Sequence, residues 1–414
     1  MDAIVEHCAG LDVHKDTVVA TVRTPGKGRR RHTETATFGA TARQVVALGD
    51  WLAGHNVTLV GMEATGVYWK PIFYGLEDRF TCWLCNAHHL RNVPGRKTDV
   101  ADSVWIAKLV EHGLVSPSFV PPPPIRRLRN LTRARKAQIN ERGRTIQRLD
   151  KILQDAGVKI NSVASTTLGM STRLMLNALV AGHRDPAVLA DLAKGRLRAK
   201  IPALRDALDA RFDDHHAAIV AQLLAHVDAL DAGIATLDAR VDDAIVDAGL
   251  GDLVELVCTI PGVATRTAQV LLAECGADMG VFATSAHLAS WAGICPGNRE
   301  SAGKRGSGHT RPGPRWLRVA LTEAAHAASR TSDTYLGAHF RVIRGRRGVA
   351  KAIGAVRHDI LIAFWHVVAK RTEYVDLGAD WHQRRYSPEK QARRLVRQLE
   401  RLGHTVTLQP ADAN

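Results

Sequence analysis

The sequence predicts a mixed α/β domain followed by a longer, mainly helical region, and three observations carry that reading. Residues 8–111 alternate short apolar runs with amphipathic stretches in the order βββαβαβα. Four successive prolines, Pro121 to Pro124, then interrupt the pattern, since they continue neither helix nor sheet and favour an extended spacer. Beyond them, apolar residues recur at spacings of three and four over two long stretches of opposite charge.

The first strand is Cys8 to Val13 and the second Thr17 to Arg23, joined at the break His14-Lys15-Asp16. A third, Thr33 to Phe38, follows the basic turn from Pro25 to Arg31. A helix over Thr41 to Ala53 precedes the strand Thr58 to Met62, which ends at Glu63. Another helix (Val67 to Glu77), a strand (Phe80 to Cys85) and a helix from Asp99 to about Glu111 complete the set.

Three antiparallel strands followed by alternating helices and parallel strands make the topology of the ribonuclease-H-like fold. In that layout the first strand, the end of the fourth and the last helix converge, so Asp12, Glu63, Asp99 and Asp102 are expected to meet at one edge of the sheet. Asp99 and Asp102, three residues apart, share a helical face, although acids in a first turn also favour the helix dipole without any ligand. Four clustered carboxylates repel one another unless a cation neutralises them, so divalent metal, with magnesium first, is the physical expectation. Two such hard ions would activate an attacking oxygen and stabilise a leaving one in phosphoryl transfer.

A chain of 414 residues exceeds one compact core and suggests two or three domains. The formal net charge of +15 and a pI near 9.9 point to a polyanionic partner, nucleic acid before a membrane surface. No charge-free apolar run of about 18 residues is there to span a bilayer, and the start Met1-Asp2-Ala3 lacks secretory character, so a cytoplasmic protein is expected. The six cysteines show no paired spacing of a zinc site or a disulfide framework. Cys82 and Cys85 form a Cys-x-x-Cys, but within an apolar run that reads as a buried strand.

Arg126 to Ala156 reads as a helix with Leu128, Leu131, Ile139, Ile146, Leu149 and Leu153 in one stripe, and holds ten Lys/Arg against three Asp/Glu. Leu204 to about Ala248 reads as a second, with three Lys/Arg against ten Asp/Glu. Complementary charge beside narrow apolar stripes suits coiled-coil pairing. At roughly 65 Å the acidic helix is expected to meet another protomer over part of its length, an intrachain hairpin being the alternative. Ser162 to Lys200 is a shorter helical segment between them. The resulting division is 1–120, 121–250, 251–375 and a basic tail, 376–414.

Cys258 to Ala268 looks like a helix-hairpin-helix, whose turn at Gly262 and following helix with Thr267 would offer amides to a DNA phosphate without reading sequence. The stretch Pro296 to Arg318 interleaves glycine and proline with Lys304, Arg305, Arg311, Arg315 and Arg318, a composition suited to pressing backbone and cations against phosphates. Lys97, beside the Asp99 pair, joins that set. Ser301 and Ser307, with Thr310, are the hydroxyl nucleophile candidates here, and serines also simply favour turns. Trp316 to Ala328 and Val349 to Ala369 read as helices with a basic tract, Arg341 to Lys351, between them. Ser387 to Leu402 is a basic amphipathic helix.

Four stretches together resemble the DEDD-type insertion-sequence transposases of the one-ten family, recombinases guided by a bridge RNA. They are Gly10-Leu11-Asp12-Val13-His14-Lys15, Met62-Glu63-Ala64-Thr65-Gly66, Arg96-Lys97-Thr98-Asp99-Val100-Ala101-Asp102, and Ser301-Ala302-Gly303-Lys304 leading into Leu317-Arg318. The resemblance implies a RuvC-like domain joined by a coiled coil to a transposase domain, in a dimer to tetramer with a composite site. It also implies that Ser301 forms a phosphoserine link to DNA near magnesium on Asp12, Glu63, Asp99 and Asp102, while a structured noncoding RNA pairs with donor and target DNA. Ala302 follows the serine where the family often has glycine, which keeps Ser307 as the alternative nucleophile. A covalent link conserves the phosphodiester energy, and no Gly-x-x-x-x-Gly-Lys-Ser/Thr loop is present.

Two other readings remain. A metal-dependent endonuclease of the Holliday junction resolvase type would use the acids alone and leave the carboxy-terminal region without a task. A non-catalytic nucleic-acid scaffold would use the acids only as helix caps.

Overall fold

A computed structural model describes residues 4–27, 30–64, 66–86, 102–296, 300–301, 303–305, 310–384 and 388–409. The chain divides into two compact units, Met1–Val120 and Pro121–Asn414.

In the first unit β1 (Cys8–Val13), β2 (Thr17–Pro25) and β3 (Arg31–Gly39) form an antiparallel meander. Helix α1 (Ala42–Gly54) leads to β4 (Leu59–Glu63), parallel to β1, and α2 (Trp69–Leu76) leads to β5 (Thr81–Cys85), parallel to β4. The sheet order is β3-β2-β1-β4-β5, so the mixed sheet expected from the sequence is the one formed. Side chains alternate across it. Ala9, Leu11 and Val13, with Val18, Ala20, Val22, Val60 and Met62, pack against Leu48 and Leu52 of α1 and Ile72 and Leu76 of α2. The opposite face, with Cys8, Leu59 and Cys85, receives α3 (Asp102–Glu111) through Ile106, Leu109 and Val110.

α3 lies almost directly on the sheet backbone. A β-carbon at Gly10 would stand 2.2 Å from the Ser103 carbonyl oxygen and 2.3 Å from the Ala107 nitrogen, and one at Gly61 would stand 2.4 Å from Val110 Cγ2. At the far end of the helix Glu111 is fully buried and pairs with Arg23 of β2 (2.7 Å) and Arg31 of β3. Cys82 and Cys85 sit in β5, where burial pushes both thiols up to about 12, a state that keeps them neutral.

In the second unit α4 (Pro123–Asp155) starts on the proline run itself. Pro122 is its N-cap, and proline is tolerated in a first turn because those amides have no intrahelical acceptor. The expected extended spacer is therefore shorter than the four prolines. A cap of short helices follows: α5 (Ile160–Val163), α6 (Met170–Val180), α7 (Pro186–Asp191) and α8 (Ile201–Leu208). They close over a core of Leu149, Leu153, Leu176, Leu204, Phe212, Val220 and Leu224.

The long acidic helix, α9, is Asp214–Asp247, not the single helix expected from Leu204. Asp213 stops that continuation, because its carboxylate accepts the His216 amide and caps a fresh start. α9 runs antiparallel to α4: Arg135 pairs with Asp238 and Arg142 with Asp231, seven residues forward on one helix matching seven back on the other. The basic and acidic stretches thus meet within one chain.

The remaining helices are α10 (Gly251–Cys258), α11 (Thr265–Cys275), α12 (Ser285–Trp291), α13 (Arg315–Ala328), α14 (Tyr335–Arg347), α15 (Val349–Lys370), α16 (Trp381–Arg384) and α17 (Pro388–Glu400), with a two-stranded hairpin, β6 (Glu300–Ser301) and β7 (Lys304–Arg305), before α13. The basic tract from Arg341, expected to be a connector, instead belongs largely to α14, its cations filling the last turn where they complement the helix dipole. α15 is the centre, touched by α10, α12, α13 and α14 and burying Val356, Ile360, Leu361 and Phe364. Both α9 and α15 are long and apolar enough by composition to cross a membrane. α15 spends that apolar surface on its neighbours, and Asp231, Asp238 and Asp242 of α9 are held in ion pairs to arginine. Arg129 and Arg133 fasten α4 to α11, where Arg133 grips the buried Glu274 with both nitrogens at 2.7 Å and Arg129 donates to the Ala273 and Glu274 carbonyls.

Candidate functional site

The acidic end of the first unit follows from strand alternation. Gly10 faces α3, so Asp12, two residues on, lies on the same face, and Glu63 follows Gly61 in the same way. Asp12 and Glu63 each come one residue after the last rung of the β1–β4 pairing, Leu11 with Met62, which puts them on neighbouring strands at the same level. Asp102 opens α3 at that end, because the other end of the helix, Glu111, accepts the Val5 amide just before β1 and pairs with Arg23, which stands opposite Cys8. A hydroxyl chain, buried at Thr21 and Ser103 and reaching the surface at Thr35, fixes this start: Thr21 Oγ1 is 2.9 Å from Ser103 Oγ and 2.8 Å from Thr35 Oγ1. That chain was not visible in the sequence, where Thr21 reads only as one polar position in an apolar strand.

Asp12 and Glu63 are both partly exposed. His14 Nε2 lies 3.1 Å from Asp12 Oδ2 and is an additional partner that the sequence reading did not assign. Topology therefore brings Asp12, Glu63 and Asp102 to one end of the sheet. Yet among the described residues no three His, Cys, Asp or Glu side chains gather closely enough to hold a metal ion. Asp99 and Lys97 lie outside the described residues. In kind the donors fit a hard divalent cation, since all three are carboxylates and no thiol stands among them.

We expect Gly10→Ala to test how strictly α3 is seated. A methyl there meets backbone, which has no rotamer to yield, so unfolding should become easier by about 1–3 kcal/mol. A thermal midpoint within a degree of the parent would contradict the close seating.

The second candidate region lies in the other unit. Ser301 pairs with Lys304 in the β6–β7 hairpin, and Gly303 in its turn has φ of 76°. Arg305 is the outer residue of β7, paired with Glu300; Ser307 lies outside the described residues. Beyond the loop, Arg311 is exposed and donates to Ser290 Oγ at 3.0 Å. Arg315 is exposed at the first turn of α13 with its guanidinium 5.9 Å from the Trp316 ring centre. Arg318, one turn on, is half-buried and donates to the Arg311 carbonyl at 3.0 Å. Three of the expected cations thus follow one another along a segment that Arg318 ties to itself and Arg311 ties to α12.

Gly262 and Thr267 have different surroundings. α10 and α11 do form a helical hairpin with Gly262 at φ of 86°, but a β-carbon there would stand 2.4 Å from the Ala324 carbonyl oxygen of α13. This glycine serves close packing of the turn on α13. Thr267 is half-buried and lines a cavity of about 120 Å³ with Arg133, Lys136, Trp316 and Glu323.

Residues 9–157 match a family model described as a transposase, of the DEDD and IS110 kind, and residues 254–340 match one described as the transposase IS116/IS110/IS902 family. The first span contains Asp12, Glu63, Asp99 and Asp102, and the second contains Ser301 and the arginines 305, 311, 315 and 318. No curated protein matches the chain.

Proposed function

The chain belongs to the IS116/IS110/IS902 family of insertion-sequence transposases, and from that premise we propose that it excises and inserts its element by strand exchange through a phosphoserine link on Ser301. As a member of that family it is an enzyme acting on DNA, and the DEDD kind implies a divalent cation. We take that cation to be magnesium, held by Asp12, Glu63, Asp99 and Asp102. When bound, it would supply Lewis acidity toward phosphate oxygens, which a weakly nucleophilic serine needs.

The single observation that carries the reading is the division of the chemistry between two matched spans. Asp12, Glu63 and Asp102 occupy one end of a sheet in one unit, and the serine occupies a hairpin leading into a run of arginines in the other. A junction-resolving nuclease would need only the first. The arginines of the second bind the backbone, and they do so without reading sequence. Sequence choice in this proposal comes from a structured RNA from the element, paired with donor and target DNA. The α4–α9 pair acts as a coiled-coil spacer, copies of the chain assemble as a dimer or tetramer, and the enzyme works in the cytoplasm.

The deciding experiment incubates the full chain with magnesium, DNA spanning the element ends and RNA transcribed from its flanks, then locates any covalent adduct by peptide mass spectrometry. A phosphodiester-linked Ser301 peptide is the expected product. DNA cut to free ends with no adduct would replace this reading by that of the nuclease.

A further inference from the structure

The second unit pairs its half-buried arginines with care. Arg129 and Arg133 have Glu274, Arg135 has Asp238, and Arg266 has Asp242. Arg318 of α13 and Arg357 of α15 depart from that rule. Both are half-buried, and among the described residues neither forms an ion pair with a carboxylate. Arg357 donates through one Nη to Thr322 Oγ1 at 3.3 Å, and that hydroxyl itself donates to the Arg318 carbonyl at 2.7 Å. The Arg357 Nε is buried and has no hydrogen-bond partner. Burial first, and the Arg318 charge second, hold the Arg357 guanidinium below its ordinary range.

Two like charges drawn together out of water, with a donor left over, lower their energy when an anion enters between them. Guanidinium is the group suited to a phosphate, because its planar fork meets two oxygens at once. The same pair also has an address. Arg318 is tied to the Arg311 carbonyl, at the end of the loop that begins with the Ser301 hairpin, and Arg311 and Arg315 extend the positive surface from there. Arg357 lies beyond the matched span that ends at residue 340, and its charge was not singled out by any motif.

We propose that Arg318 and Arg357 together clamp one backbone phosphate of the DNA strand delivered to the serine loop. The placement on DNA rests on the function proposed above, whereas the clamp itself rests on the two arginines.

The test uses the full chain carrying Ser301→Ala, so that binding is read without strand exchange and stays interpretable whatever Ser301 does. Affinity for a labelled DNA duplex, and for an RNA duplex of the same sequence, is measured between 50 and 200 mM salt. Arg357→Gln should weaken DNA binding about tenfold at the lowest salt. It should also flatten the slope of log K against log salt by about 0.9, the signature of one lost phosphate. Arg318→Gln should give the same loss, and the double variant little more, because both hold one group. Arg357→Gln should melt no lower than the parent, since it removes a repulsion; should it fail to fold, Arg318→Gln carries the same expectation. An unchanged DNA slope, a loss confined to RNA, or losses that add in the double variant would each overturn the clamp.

Discussion

Ser301→Ala is expected to abolish adduct formation and strand exchange while leaving DNA affinity within about twofold of the parent. The first part follows from covalent catalysis: with the attacking oxygen gone there is no bond to phosphorus to form, and losses on the order of 10⁴-fold or more accompany removal of such a nucleophile. The second part follows from charge. A neutral hydroxyl contributes nothing to counterion release, so the salt dependence of binding should also stay as it was. Ser307→Ala is the matched control and should exchange strands normally. If instead Ser301→Ala still yields recombinant joints, the assignment of Ser301 is wrong, and if Ser307→Ala is the inactive one, the nucleophile is the other serine of the same stretch.

The second large effect is on stability. Glu111→Ala should destabilise the chain by about 3–5 kcal/mol, because it leaves Arg23 and Arg31 facing a buried site without their counter-charge. This cost lies in the penalty for orphaned charge more than in the worth of the pair. Replacing all three residues by apolar ones of similar volume should therefore recover most of the loss. Denaturant unfolding of the single and triple variants measures both. A single-variant loss under about 1 kcal/mol would mean that water reaches the arginines in the folded state.

Legibility in the sequence followed the range of the forces involved. The strands were readable because apolar alternation is local, and β1 is found where the pattern puts it, from Cys8 to Val13. The positions of Asp12 and Glu63 were readable too, since a period of two leaves no freedom about which face a residue takes. Long-range partners were not. Nothing near Glu111 announces Arg23 and Arg31, and nothing near Thr21 announces Ser103, which is 82 residues away. Helix ends failed for a different reason. The apolar stripe through Leu204, Leu208 and Phe212 keeps helical spacing into Asp213, so periodicity alone could not show that those side chains close a separate core. Asp213 three residues before His216 was the available signal, but a capping pattern ending in histidine is weak. In the same way the turn at Gly262 was readable as a glycine turn, while its close approach to α13, a long-range contact, was not.

Where α3 crosses Gly10, helix backbone meets sheet backbone with no side chain between them, whereas over Gly61 the side chains of Val110 and Ile106 fill the gap. Most helices float on a layer of such side chains, and a changed core residue can slide them by an ångström. At Gly10 that cushion is missing, so the spacing between the strand acids and Asp102 is set by peptide geometry. The core that can drift is on the opposite face, under α1 and α2. Exchanges among leucine, valine and isoleucine on that face should therefore leave the acidic end in place.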